Sequence, residues 1–142
     1  MKHTFPFFRT FLAIGLFAFL PVVNRAAPAL ELKDVFVSGE GGYHTYRIPA
    51  VIRAANGSLL AFCEGRKSGG GDSGNIDLLL KRSIDGGRTW SAQQVLWDDA
   101  DNTCGNPCPV LDATTAGCLY ENGEKSRYEK ITFARFSPSE NL

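Results

Sequence analysis

The sequence predicts an all-β fold. Short runs rich in β-branched and aromatic residues recur along the chain, and turns containing Gly, Asn or Asp separate them. The strongest turn signal is Asn56-Gly57, which lies between two apolar runs and is typical of a β-hairpin. No stretch shows the sustained period of an amphipathic helix, so we expect antiparallel strands joined by short turns.

Four predicted strands lie between residues 46 and 96. They cover residues 46–53, 58–64, 76–82 and about 89–96, with a Gly/Ser-rich loop at 67–74 and a turn at 85–88. The third strand is apolar enough to be buried on both faces. Four short strands joined by tight turns match one blade of a β-propeller, and they equally fit half of a β-sandwich. A single blade cannot bury both of its faces, so it needs neighbouring structure.

The strand signals are weaker after residue 96. We expect a polar loop over residues 97–110, because Pro107 and Pro109 flank Cys108 there and proline cannot donate to a sheet. A strand should then begin near Val110, and two more should cover residues 116–121 and 129–136 around a turn at 122–126.

The N-terminus has the pattern of a secretory signal peptide. Lys2 and Arg9 precede an apolar run at 11–23, and small residues follow at 26–29. The run is too short to cross a bilayer of about 30 Å as a helix. An amphipathic or buried N-terminal helix is less favoured, because the run shows no polar face. We expect residues 1–27 to form the signal peptide, with cleavage after Ala26, Ala27 or Ala29, and residues 28–142 to form the domain that is exported to the periplasm or the extracellular space.

The charge balance and the apolar content of the exported part argue against two classes of partner. Without Lys2, Arg9 and Arg25, twelve of the fifteen basic residues remain, against fifteen acidic residues. Nucleic-acid binding requires a concentrated basic patch, which a mildly acidic chain of this kind does not provide. Nothing later in the sequence is apolar enough to cross a membrane. We therefore expect no nucleic-acid partner, and no membrane association after signal cleavage.

Four cysteines lie in the exported part, and they permit more than one arrangement. Cys63, Cys104, Cys108 and Cys118 allow three full disulfide pairings, which the sequence does not separate. A zinc site is less favoured, because His44 is the only exported histidine and no second cysteine pair has ligand spacing. We expect buried free thiols or one disulfide, with no metal and no cofactor.

One turn carries a complete Asp-box. Its pattern, Ser-x-Asp-x-Gly-x-Thr-Trp, is formed by Ser83, Asp85, Gly87, Thr89 and Trp90. The carboxylate can accept hydrogen bonds from amides of its own turn, the glycine permits positive φ, and the tryptophan packs against the sheet. The motif is structural, so Asp85 is not expected to be a catalytic carboxylate.

Connectivity places three charged residues at one end of the predicted blade. Arg47 starts the first strand, Arg66 follows the second, and Asp72 lies in the next loop, whereas the Asp-box turn lies at the opposite end. Two planar guanidinium groups suit an anionic sugar, and a loop carboxyl group could protonate a leaving oxygen. Taken singly, each residue could instead be a solvated charge or a turn cap.

Several motifs occur in a characteristic order. They are Tyr46-Arg47-Ile48-Pro49, Leu-Leu-Ala-Phe-Cys-Glu-Gly-Arg at 59–66, Asp72 six residues after Arg66, the Asp-box, and Cys-Gly-Asn-Pro-Cys-Pro-Val at 104–110. Together they resemble the start of the catalytic domain of exo-α-sialidases (neuraminidases) of the bacterial secreted type. The resemblance covers residues 35 to about 115.

The resemblance implies a six-bladed β-propeller, of which this chain holds a fragment of about one to two blades with one Asp-box. Such enzymes release terminal sialic acids from glycoproteins, glycolipids and oligosaccharides with retention. Arg47 matches the first of three arginines that hold the sugar carboxylate, Arg66 the arginine near the ring O4, and Asp72 the general acid/base. Asn106 is a further substrate-binding candidate. The family nucleophile is a tyrosine activated by a glutamate, an exception to the two-carboxylate scheme.

At residue 116 the sequence begins to resemble a different part of the family's catalytic domain. Residues 28–115 resemble a first blade and the start of a second, whereas residues 116–142 resemble a remnant of the last blade. Two clamp arginines, the nucleophile and its glutamate then have no match, as after an internal deletion. Glu121 matches a glutamate that supports the first clamp arginine. We expect Tyr120 and Tyr128 to be strand residues and Arg127 and Arg135 to be exposed charges, with no role in the site.

Three functions are compatible with these patterns. The first is a sialidase-related hydrolase whose turnover is severely impaired, because the nucleophile and two clamp arginines are unmatched. The second is a binding module that uses Arg47, Arg66 and Asp72 to hold an anionic sugar, and the third is a purely structural Asp-box fragment. In each case we expect a small and marginally stable β-sheet unit, because the chain is patterned for neighbours that it lacks.

Overall fold

The computed structural model describes residues 29–112 and 115–136, in which every regular element is a β-strand. The chain divides into two units, Met1–Glu31 and Leu32–Leu142, and all of the strands belong to the second unit. The predicted signal peptide at 1–27 lies outside the described residues. Within those residues, no helix has the length and apolar character needed to cross a membrane. The predicted all-β class is confirmed.

Seven strands form two antiparallel sheets. In chain order they are β1 (Thr45–Arg53), β2 (Leu59–Arg66), β3 (Ile76–Ser83), β4 (Gln94–Trp97), β5 (Gly105–Asp112), β6 (Thr115–Asn122) and β7 (Lys130–Phe136). The first sheet has the order β1-β2-β3-β4 and the second has the order β5-β6-β7. Each strand pairs with its neighbour in sequence, so both sheets are simple meanders.

The first sheet matches the predicted four-stranded unit. The Asn56-Gly57 turn joins β1 to β2, with Gly57 at φ 86° and the Asn56 side chain accepting a hydrogen bond from the Ser58 amide at 3.0 Å. The fourth strand is shorter than predicted and begins at Gln94 rather than near Thr89. The reason is local, because residues up to Trp90 are held in the Asp-box by side-chain bonds instead of a strand ladder.

The polar loop predicted over residues 97–110 is wrong in its second half. Strand β5 begins at Gly105 and includes both Pro107 and Pro109. These prolines are tolerated because β5 is an edge strand that pairs only with β6 in its sheet. The missing amide donors therefore interrupt no ladder on the unpaired side.

The second sheet joins the two sequence segments that resemble different parts of a propeller. Strand β5 lies before residue 116, β6 begins at Thr115 and spans the boundary, and β7 lies after it. Asp112 pairs with Thr115 at the end of the β5–β6 hairpin. The boundary at 115/116 thus falls inside one continuous sheet. Whatever the origin of the two segments, they complete one structural unit in this chain.

The main core lies between the two sheets. Leu60, Phe62, Leu78 and Leu80 of the first sheet are fully buried. They belong to the same cluster as Cys104, Ala116, Cys118 and Tyr120, which lie in or next to the second sheet. The rings of Phe62 and Phe136 lie 6.0 Å apart between centroids, a favourable distance for an aromatic pair. This cluster holds the sheets together.

The opposite face of the first sheet is covered by the segment that precedes β1. Tyr43, Cys63 and Leu79 form a second buried cluster, and Phe36 and Tyr46 pack against it. Strand β3 is therefore buried on both faces, as the sequence predicts. The preceding segment takes the place that a neighbouring blade would otherwise have to fill.

A buried polar network anchors this segment. The Tyr43 hydroxyl donates to Asp77, whose side chain is 1% exposed and also pairs with Lys67 at 3.0 Å. Lys67 reaches Asp98 at 3.0 Å as well. Burial first, and then the Asp77 carboxylate, raise the pKa of Tyr43 well above its ordinary range. The network ties the segment just before β1 to β3 and to the loop that follows β2.

The outer face of the second sheet is apolar and exposed. Val110, Leu119, Ile131 and Phe133 expose 51%, 41%, 73% and 52% of their surface. Leu119 and Phe133 are direct cross-strand partners, so their side chains share this face. The expected deficit of neighbours is therefore most evident on the second sheet, while β2 and β3 of the first sheet are buried along almost their whole length.

All four cysteines are free thiols, three of them buried and Cys108 exposed. Burial raises the pKa of Cys63 and of Cys104 to about 12, and that of Cys118 to about 11. Cys108 is paired with Leu119, whereas Cys118 is paired with Pro109, so the two thiols lie on opposite faces of the second sheet. Of the two predicted arrangements, buried free thiols are found for three of the four residues.

The Asp-box forms the predicted local network at the far end of the first sheet. Asp85 accepts hydrogen bonds from the Thr89 amide at 2.9 Å, the Thr89 hydroxyl at 2.6 Å and the Ser83 hydroxyl at 2.8 Å. Gly87 has φ 94°, and its carbonyl accepts from the Trp90 indole at 3.1 Å. The hydrogen bonds from Thr89, followed by that from Ser83, hold the pKa of Asp85 far below its ordinary value.

We predict that Asp85→Asn makes stability less dependent on acid. A lowered carboxyl pKa stabilises the fold above the ordinary pKa of aspartate, about 4, and this contribution is lost as the pH falls below it. The variant should therefore have a lower melting temperature than the parent near neutral pH. The difference between the two melting temperatures should become smaller toward pH 3. Asp101→Asn on the 97–104 loop is the control, and an equal gap at both pH values would contradict the prediction.

Candidate functional site

A polar cleft of about 190 Å³ lies where β2 ends and the loop to β3 begins. Both sheets contribute to it, and its lining residues are Arg47, Ile48, Glu64, Arg66, Asp72, Thr103, Gly105, Asn106, Glu121, Arg127 and Tyr128. The volume is below the few hundred Å³ of a pocket that encloses a whole drug-sized ligand. It is sufficient for one polar end of a larger molecule.

The three residues predicted to share a rim meet in this cleft. Arg47 Nη1 and Arg66 Nη1 each lie 2.8 Å from Asp72 Oδ1. The pairing of Arg66 with Ile76 and of Leu59 with Ser83 places the Asp-box at the other end of the sheet. The predicted convergence is confirmed, while the chemical role of each residue stays a prediction.

Arg66 is almost completely buried, and the protein itself satisfies its guanidinium. Nε and Nη2 donate to Glu64 Oε2 at 2.9 and 2.5 Å. Nη1 donates to the carbonyls of Gly70 and Gly71 at 2.6 and 2.8 Å, in addition to Asp72. With a side chain only 3% exposed, Arg66 fixes the shape of the Gly-rich loop and presents Asp72 to the cleft.

Glu64 connects this arginine to the second sheet. Its Oε2 pairs with Arg66, and its Oε1 accepts the Asn106 amide of β5 at 2.8 Å. Gly105 permits the close approach, because a Cβ there would lie 3.0 Å from Glu64 Oε1. One buried carboxylate thus holds β2, the loop after it and β5 in register.

Two strand bulges flank the cleft. The pairing of β1 with β2 shifts between Arg47 and Ala50, and Ile48 within it has φ 53°. The pairing of β5 with β6 shifts between Gly105 and Cys108, and Asn106 within it also has φ 53°. Positive φ is unusual for β-branched Ile48, and such strain costs of the order of 1–3 kcal/mol per residue. Bulges re-aim neighbouring side chains, and here both occur beside the cleft.

Glu121 lies in the cleft but with a partner other than the predicted one. Its Oε2 accepts from Asn106 Nδ2 at 2.6 Å, whereas the resemblance implied support of Arg47. Asn106 is a predicted substrate-binding residue. Its side chain donates to Glu121, and its backbone N–H donates to Glu64. Both residues line the cleft, and the pair bridges β5 and β6.

Two residues for which the sequence predicted no role in the site line the cleft. Arg127, expected to be an exposed charge, is partly buried and donates to the main-chain carbonyl of Asp72. Tyr128, expected in a strand, lies in the turn before β7, where its hydroxyl contacts Arg127. The expectations held for Tyr120, which is buried in β6, and for Arg135, which is exposed on β7. Arg127 was missed because the contact joins residues 55 positions apart.

Glu64 is the second residue that the sequence analysis missed, although a signal was present. Residues two apart in a strand share a face, so Glu64 had to lie beside Arg66 once β2 was assigned. A buried arginine requires a neighbouring carboxylate, which is what Glu64 supplies.

The two arginines also determine the charge of Asp72. The hydrogen bond from Arg66 and the charge of Arg47 lower the pKa of this carboxyl group, with a smaller contribution from Arg127. Asp72 is therefore ionised at neutral pH and cannot donate a proton in this arrangement. A ligand anion that took over Arg47 would remove one cause of the lowered pKa.

Relatives in sequence are sialidases. The chain is 42% identical over 76 residues to a sialidase of Micromonospora viridifaciens, a match that covers 54% of this chain and 12% of the relative. It is 39% identical over 88 residues to an exo-alpha-sialidase of Arthroderma benhamiae, and 39% identical over 95 residues to one of Aspergillus fumigatus. These two matches cover 58% and 63% of this chain. No family model matches the chain.

Solved structures with a similar fold are sialidases too. A Hadza microbial sialidase, Hz136, superposes with a TM-score of 0.63 at 21% identity, over 73% of this chain and 26% of that structure. The Trypanosoma rangeli sialidase in complex with sialic acid gives a TM-score of 0.53 at 17% identity, over 68% of this chain and 21% of that structure. The resemblance to the exo-α-sialidase family and the fold as part of such a β-propeller are confirmed. The chain spans only 12% to 23% of the length of these three curated relatives.

We predict that Glu64→Ala destabilises the fold by about 3–5 kcal/mol, because it leaves the buried Arg66 charge without its main partner. Glu64→Gln, which keeps an acceptor, should cost less. Glu124→Gln in an exposed turn is the control and should change stability by less than about 0.5 kcal/mol. Urea unfolding of the three variants measures the differences, and a Glu64→Ala variant as stable as the control would show that the ion pair is dispensable.

Proposed function

We propose that this chain, which sequence and fold relate to the exo-α-sialidases, recognises terminal sialic acids of glycoproteins, glycolipids and oligosaccharides. Hydrolysis of these glycosides with retention is the reaction of the resembled family. For the 142-residue chain by itself we propose that this turnover is severely impaired. Because residues 1–27 are predicted to be a signal peptide, the substrate would be met in the periplasm or outside the cell.

The observation that carries the proposal is the meeting of Arg47, Arg66 and Asp72 in one polar cleft. A terminal sialic acid has a carboxylate beside its glycosidic carbon and hydroxyl groups on its ring. Guanidinium groups can bind carboxylates as planar forks. In the cleft, each arginine already contacts Asp72 through a single bond from Nη1 to Oδ1. The carboxylate of a ligand can therefore replace the contact that Asp72 makes with Arg47.

The proposed roles differ among the three residues. Arg47, with 47% of its side chain exposed, binds the carboxylate of the sugar. Arg66 acts mainly through the loop that it shapes, since its nitrogens are bonded to Glu64, Gly70, Gly71 and Asp72. Asp72 takes the general acid/base role that the resemblance implies, and it must gain a proton before it can serve as the acid.

The resemblance leaves the covalent half of a retaining mechanism without matching residues. In the first step of a retaining reaction, a nucleophile attacks the anomeric carbon while the acid protonates the leaving oxygen. In the second step, the residue that acted as the acid becomes the base and activates a water molecule. The resemblance supplies no residue for the nucleophile, and Asp72 is ionised in the cleft. Both facts predict slow chemistry.

A second candidate is a sialic-acid-binding module without hydrolysis. The half-exposed guanidinium of Arg47 favours it, because binding of the sugar carboxylate there requires no proton transfer. The two candidates share one ligand and differ only in turnover, so one protein preparation can separate them.

We predict turnover of a fluorogenic sialoside far below the rates of about 1–1000 s⁻¹ that are usual for enzymes. The signal should be close to that of buffer, and any residual signal should fall further in Asp72→Asn. Release of the fluorophore at neutral pH measures the rate. Turnover in the usual range by the purified chain would contradict the proposed impairment and would leave the binding module without support.

We also predict that Arg47→Ala weakens binding of the methyl α-glycoside of N-acetylneuraminic acid by at least about tenfold, because a charge-assisted bond to the carboxylate is lost. Arg135→Ala, an exposed position on β7, should bind as the parent does. NMR titration of the glycoside measures the affinities. Absence of binding by the parent chain would refute both candidates.

A further inference from the structure

Hydrogen bonds within the turn between β6 and β7 give the turn a fixed shape beside the cleft. The Glu129 side chain accepts the Glu124 amide at 2.9 Å, and the Glu129 amide donates to the Ser126 carbonyl at 3.1 Å. Gly123 is required for the close packing, since a Cβ there would lie 2.7 Å from the Glu129 Cβ. The turn thus has a defined shape and presents Arg127 and Tyr128.

The guanidinium of Arg127 is oriented from two sides. Its Nη1 donates to the main-chain carbonyl of Asp72, and its Nη2 contacts the Tyr128 hydroxyl. The guanidinium carbon lies 4.6 Å from the centre of the Tyr128 ring, within the range of a cation–π contact. An arginine held in this way loses little freedom when it binds an anion.

The three arginines of the cleft are not equivalent toward a ligand. Arg66 is 3% exposed and is committed to Glu64 and the Gly-rich loop. Arg47 and Arg127 approach Asp72 through different atoms, one bonding its carboxylate and the other its main-chain carbonyl. Arg47 lies in β1 of the first sheet and Arg127 lies in the turn between β6 and β7, so the two cations reach the cleft from different parts of the fold.

We propose that Arg127 acts with Arg47 as a two-arginine clamp for the carboxylate of a sugar acid in this cleft. The inference rests on the proposed function and identifies the part of the ligand that each arginine binds. The sequence resemblance assigns no such role to Arg127. In this chain the β6–β7 turn would supply a second cation that the resembled family takes from elsewhere in its domain.

The clamp has a specific consequence for ligand choice. A carboxylate offers two oxygens, which two guanidinium groups can share, whereas its methyl ester offers neither the charge nor the second strong acceptor. Loss of Arg127 should therefore weaken binding of the acid and leave binding of the ester nearly unchanged. A residue that only supports the fold would weaken both ligands alike.

The test is an NMR titration with the methyl α-glycoside of N-acetylneuraminic acid and with the methyl ester of that glycoside. The proteins are the parent, Arg127→Gln, Arg127→Lys, Arg47→Gln and, as the matched control, Arg135→Gln. We expect Arg127→Gln to weaken binding of the acid by at least about tenfold with little effect on the ester. Arg127→Lys, which keeps the charge and loses the fork, should fall between the parent and Arg127→Gln.

The outcomes separate the inference from the function beneath it. Weakening by Arg47→Gln together with parent-like binding by both Arg127 variants would overturn the clamp and leave the proposed function standing. Equal weakening of acid and ester by the Arg127 variants would also overturn it, since that pattern marks a structural role. No binding of either ligand by the parent would overturn the clamp and the proposed function together.

Discussion

The cleft depends on one buried ion pair, between Glu64 and Arg66. Both side chains are nearly inaccessible to water, at 4% and 3% exposure, and two hydrogen bonds join them. Burying two charges is costly unless their hydrogen-bonding groups are satisfied, and here the loop carbonyls and the Asn106 amide complete the set. The pair therefore fixes the loop after β2 and the start of β5 at once, and the position of Asp72 follows from it.

Local patterns in the sequence were sufficient for the first sheet. The Asn56-Gly57 turn, the apolar third strand and the Asp-box each act within a few residues, so their structures followed from composition and spacing. The shared rim was predictable for the same reason, because an antiparallel meander places strand ends by simple alternation.

Long-range contacts account for what the sequence did not reveal. Pro107 and Pro109 indicated a loop, and only the edge position of β5 makes them compatible with a strand. Arg127 has an ordinary local context, and its role in the cleft arises from a turn that folds against a loop of the other sheet. The cover that the segment before β1 gives to the first sheet is likewise a tertiary effect that no local pattern encodes.

Strand β7 has a consequence for the chain at high concentration. Within the described part of the chain it is an edge strand, so one row of its backbone amides and carbonyls has no partner strand there. Ile131 and Phe133 project from its outer face. Such an edge can template addition of another extended chain, the first step of cross-β growth. Lys130 and Arg135 sit near the two ends of this strand, where like charges on an incoming copy would repel. The same two cations thus guard the edge against addition of a second copy.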